Sequence, residues 1–139
     1  MGDHLGVEHF ESIRWHLIIK SRHPEKVDGV LNAVGNALGQ PLRVLEAKKY
    51  WKDSVHSEAF AESRLDADTP ADAVFGLMLQ ARRLALHWMT FGPSSYDGDR
   101  WEFELLCTDG FVVPRLTWAN AIACNFNATA TPRDVPAAD

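Results

Sequence analysis

Apolar positions along this chain change their period several times, and each change marks an element. Ile13, Trp15, Leu17 and Ile19 fall at every second position, with Arg14, His16, Ile18 and Lys20 between them. Successive strand residues point to opposite faces, so this run predicts a strand apolar on one face and partly apolar on the other, as suits the interior of a sheet. After Ser21-Arg22-His23-Pro24 the spacing becomes helical through Val27, Val30, Leu31, Val34 and Leu38. Pro24 fits a first turn, where N–H groups have no intrahelical partner. Gly39 supplies a left-handed stop and Pro41 forbids continuation. Gly29 and Gly35 weaken this helix by roughly 1 kcal/mol each relative to Ala, and close packing against the sheet is the expected reason for them.

From Leu42 the period returns to two. Leu42, Val44, Glu46, Lys48 and Tyr50 alternate with Arg43, Leu45, Ala47, Lys49 and Trp51. A turn is expected at Lys52-Asp53-Ser54, and a second strand follows through Val55, Ser57, Ala59 and Ala61. Thr69 is a strong N-cap for the next helix, with Asp72 at the reciprocal position of a capping box. Val74, Leu77, Met78, Ala81 and Leu84 form its stripe, and Phe75 and Leu79 are expected to widen that apolar face. Leu86 to Phe91 then predicts a strand ended by Gly92-Pro93. Beyond a polar loop from Ser94 to Arg100, Trp101, Phe103, Leu105 and Cys107 predict a further strand. Asp109-Gly110 suits a primed hairpin turn, and Pro114 in the return strand points to an edge or a bulge.

The order strand-helix-strand-strand-helix-strand predicts an α+β fold of the ferredoxin-like, split βαβ type (βαββαβ). Two helices would lie on one face of an antiparallel sheet, with an extra C-terminal β-hairpin. Residues 1–9 lack a period and read as a flexible lead-in, 10–126 as one domain, and 127–139 as a flexible tail rich in Ala, Thr and Pro.

The 139 residues carry a formal net charge of -5 and no long Lys/Arg run, which argues against nucleic acid or an anionic membrane as partner. No apolar run approaches the length of a membrane span, and no signal segment precedes the first strand, so a cytoplasmic location is expected. Cys107 and Cys124 would then be reduced, and read as two small buried hydrophobes.

Candidate chemistry is sparse. No histidine pair has the spacing of a helical zinc site, although His16 and His87 fall on strands that could be neighbours and could share half a metal site. There is no Gly-x-Ser-x-Gly elbow and no Walker loop, so no cofactor is expected. Five Trp remain, Trp15, Trp51, Trp88, Trp101 and Trp118, all in strand-like sequence. Were the C-terminal hairpin to extend the sheet, some of Trp88, Trp101, Phe103 and Trp118 would line an aromatic surface framed by acids.

These features lead to a first expectation of a non-enzymatic, acidic protein-binding module, of the inhibitor or immunity-protein kind, that covers a basic protein partner. Its expected contacts are Tyr96, Asp97, Trp101, Glu102 and Glu104. A small-molecule-binding or sensor domain, dimeric through a sheet edge, is the second expectation. The third is a small enzyme using His16 or His87 as acid–base, which requires a carboxylate beside the imidazole.

Overall fold

The structure, a computed structural model, describes residues 9–96 and 98–126. Its elements are β1 (Phe10–Ile19), α1 (Asp28–Leu38), β2 (Arg43–Lys49), β3 (Ser57–Ala67), α2 (Pro70–Leu84), β4 (Met89–Tyr96), β5 (Arg100–Cys107) and β6 (Leu116–Cys124), with a short 3₁₀ turn at Pro24–Lys26 before α1. The strands form one six-stranded antiparallel sheet in the order β2-β3-β1-β6-β5-β4. The chain is α+β with both helices on one face, because α1 and α2 bury their stripes in a single cluster with Ile13, Trp15, Leu17 and Ile19. Each such large side chain contributes roughly 1.5–3 kcal/mol by leaving water.

The strand order departs from the expected ferredoxin-like one. The strand after α2 does not close the sheet beside β1. It lies at the far edge, and the chain returns through β5 so that β6 occupies the place beside β1. Gly92-Pro93 does not end β4, which runs on to Tyr96 past a register shift between Phe91 and Ser94. Asp109-Gly110 is not a two-residue hairpin turn, since residues 108–115 separate β5 from β6. Pro114 falls in that connection rather than on an edge strand. The expected tail lies outside the described residues, as does most of the lead-in.

Local sequence explains the helix ends. Gly39 is left-handed at φ 75°, and its N–H donates to the carbonyls of Gly35 and Asn36. Thr69 Oγ1 accepts from the Asp72 N–H at 3.1 Å. A Cβ on Gly35 would stand 3.2 Å from the Gln40 carbonyl oxygen, so its close approach is to the chain leaving α1 rather than to the sheet. Beneath α2, Trp15 Nε1 donates to Ser63 Oγ (2.8 Å) and Ser63 Oγ donates to Gln80 Oε1 (2.7 Å). Gln80 Nε2 donates in turn to the Arg64 carbonyl (2.8 Å). This chain satisfies the polar atoms that β1, β3 and α2 bury together.

Candidate functional site

Strand alternation gives the sheet a second face, away from the helices. There β1 presents Arg14, His16 and Ile18, β3 presents Glu58, Phe60 and Glu62, and β6 presents Trp118, Asn120 and Ile122. The cross-strand register aligns His16 with Phe60 on one side and Asn120 on the other, and Ile18 with Glu58 and Trp118. β5 adds Glu104, opposite Ile122, and Leu106, opposite Asn120.

Polar groups on this face are buried although neither helix lies over it: His16 is 5% exposed, Glu58 5%, Glu104 4% and Asn120 2%. His16 Nε2 and Glu58 Oε2 are 2.8 Å apart. The Phe60 ring stacks on the imidazole at 4.3 Å, and the Trp118 ring meets it edge-on at 5.1 Å. Asn120 Nδ2 donates to Glu104 Oε2 at 2.6 Å and to the Leu105 carbonyl at 3.1 Å. Lys48 on β2 brings its ammonium to 4.0 Å from Glu58 Oε1 and over the Phe60 ring. Tyr50 is buried in a small cluster with Ile18, Leu106 and Trp118. Its burial, and then the negative charges of Glu58 and Asp53, push its phenol above the ordinary range.

This arrangement joins an imidazole–carboxylate contact to aromatic packing. A carboxylate on one ring nitrogen fixes the tautomer and orientation of an imidazole and stabilises its charged form. Aromatic rings on two sides provide stacking surface. Asn120, one strand away on β6, and Glu104, two strands away on β5, add a paired donor and acceptor.

The expected contact residues are dispersed by comparison. Tyr96 is exposed at the end of β4, with its ring 6.1 Å from that of Phe126. Asp97 lies outside the described residues. Trp101 points to the helix side, half-buried against the main core, and its backbone N–H donates to Asn125 Oδ1 at 2.8 Å. Glu102 and Glu104 share the second face, but only Glu102 reaches the surface, half-buried beside Cys124 and Ser94. Of the aromatic set proposed for one surface, Phe103 and Trp88 join Trp101 on the helix side and Trp118 alone lies on the second face, because Trp101 and Phe103 are out of phase with it across the register. Trp51 is exposed beyond the end of β2, and Trp88 precedes β4 with Nε1 donating to the carbonyls of Ala81 and Ala85.

His87 is exposed in the connection before β4, so two strands separate its end of the sheet from His16 and the pair forms no site. Among the described residues no group of three or more His, Cys, Asp or Glu is placed to hold a metal. No helix among them is long and apolar enough to cross a membrane. Among the described residues neither cysteine forms a disulfide, and burial raises the Cys107 thiol. An open groove of about 590 Å³ lies near His9 and Arg43. Its cations are already tied to acids, His9 to Asp66 and Asp68, Arg64 to Asp66, and Arg43 to Glu62.

Sequence reasoning weighed His16 but missed Glu58, Phe60, Tyr50 and Asn120. One signal was present: Ser57, Ala59 and Ala61 are small, which leaves the bulky Glu58 and Phe60 together on the opposite face. Comparison with protein-family models, curated proteins and solved structures finds no match to this chain.

Proposed function

We propose that the protein binds a small, flat molecule on the second face of its sheet, with the His16–Glu58 pair as polar anchor and acid–base group. The observation that carries this reading is a histidine and a carboxylate, each 5% exposed and 2.8 Å apart, set between two aromatic rings. Buried ionisable groups are expensive, and well-packed apolar residues in their place are often neutral or stabilising. Such clusters gather at functional sites. Half-buried Phe60 separates the imidazole from the outside, so rotation of Phe60 is the opening step the reading requires. A panel of flat heteroaromatic amides and acids, screened by thermal shift, should contain compounds that raise the melting temperature of the wild type but not of Glu58→Gln. Equal shifts in both proteins would count against the site.

A second reading, the acidic module that covers a basic protein partner, is favoured by the exposed Met89, Phe91 and Tyr96 along β4 beside Glu102. In that case Glu102→Lys slows association with the partner at low salt, and an unchanged rate would remove the electrostatic part of the idea.

A further inference from the structure

Three large apolar side chains of α2 that the periodicity assigns to the core face are turned outward. Phe75 is 65% exposed, Leu79 47% and Met78 40%. The helix buries Ala73, Leu77, Gln80, Ala81 and Leu84 instead. Ala71, Asp72, Phe75, Met78, Leu79 and Arg82 all lie within about 60° of one direction around the helix axis. This outward stripe has an acid at its start, apolar groups at its centre and a base at its end. It continues past the helix to Leu86 and Val112, which are 66% and 63% exposed, and the Val112 N–H is bonded to the Leu84 carbonyl.

The stripe is complementary to itself. In two antiparallel copies related by a two-fold axis that crosses the outward face level with Leu77, Asp72 and Arg82 of the partner subunit come level, each about 7.5 Å along the helix from the axis. Phe75 and Leu79 of the partner subunit come level in the same way, and Met78 lies near the axis. Asp72 and Arg82 have no ion-pair partner among the described residues, whereas Arg83 beside them donates to the Leu38 carbonyl of α1. The sheet edges are poorer candidates for self-association. β4 carries Pro93 at a register break, and β2 carries Arg43, Glu46, Lys48 and Lys49 with a break of its own.

We propose that two copies of this chain associate through their α2 helices, antiparallel about a two-fold axis, with Phe75, Met78 and Leu79 at the centre and an Asp72–Arg82 ion pair at each end. Such a symmetric contact uses the same patch on both subunits and closes at two. Sedimentation equilibrium of the full chain, from about 1 to about 100 μM, tests it. The expected result is a monomer–dimer equilibrium that Phe75→Ser weakens at least about tenfold. Asp72→Lys and Arg82→Glu should each weaken it about tenfold through like-charge contacts, and an equal mixture of those two variants should restore it, because the mixed dimer pairs opposite charges at both ends. These side chains are exposed, so circular dichroism should report an intact fold in every variant. A monomer throughout, a dimer indifferent to Phe75→Ser, or a mixture no tighter than its components would overturn the proposal.

Discussion

His16 lies between a phenyl ring, an indole ring and a carboxylate, in a part of β1 where an apolar residue would pack with less cost. Its neighbour Glu58 is equally buried, and the exposed-side help from Lys48 comes only at 4.0 Å. Removing one member takes from the other, still buried, its contact at 2.8 Å. Glu58→Leu should therefore destabilise the protein by about 3 kcal/mol in urea denaturation. Replacing both, as His16→Leu/Glu58→Leu, should recover most of that loss, because the burden is the desolvated polar group rather than the lost contact. A double variant as unstable as Glu58→Leu alone would show that the pair is a structural tie. Asn120 has a different role, since its side-chain amide bonds both a carboxylate and a backbone carbonyl of β5 and so aligns β6 with β5.

Among the elements, the start of β1 and the end of β3 are joined by charge as well as by the packing of Phe10 and Ala67 in the core. His9 hydrogen-bonds Asp68 and pairs with Asp66, which also accepts from Arg64. The bond to Asp68, with the charges of Asp68 and Asp66, holds the His9 imidazole above its ordinary value of 6.5. The hydrogen bond from Arg64 and its charge, with the contact from His9, hold Asp66 below 3.8. The stabilisation from His9 is complete below 6.5 and is lost as pH rises through its raised folded pKa. That from Asp66 is complete above 3.8 and is lost as pH falls through its lowered folded pKa. Between those two values both are present. Amide exchange at Phe10 and Ala67, read at a matched chemical rate, should show falling protection above the His9 titration, and His9→Asn should abolish that fall. A flat profile in the wild type would contradict the tie. This junction was not legible in the sequence, because His9 was read as part of a loose lead-in with no period to place it.

At the scale of the molecule, the two helices and the first three strands follow from local rules: alternation in β1, a Gly stop after α1, and a Thr cap before α2. The second half of the sheet does not. Ala119, Ala121 and Ala123 face the helices while Trp118, Asn120 and Ile122 face away, so both faces of β6 look apolar or small and the alternation fades. Pro114 is then the strongest local signal, pointing to an edge or a bulge, and the βαββαβ order puts β4 in the place that β6 holds. The same blind spot hid the site. Its residues come from β1, β2, β3, β5 and β6, which only the finished strand order brings onto one face, and the outward Phe75 and Leu79 differ from the helical stripe because spacing alone cannot say which of two apolar flanks a sheet will cover.

The proposed ligand site on the second sheet face depends on His16. The measurement that tests it most directly is an NMR titration of the wild type with the heteroaromatic panel, following the His16 imidazole and Trp118 indole resonances together. A ligand held at His16 requires that at least one compound move both resonances saturably and move neither in Glu58→Gln. A panel that leaves both in place, or binds while perturbing only other resonances, would contradict it.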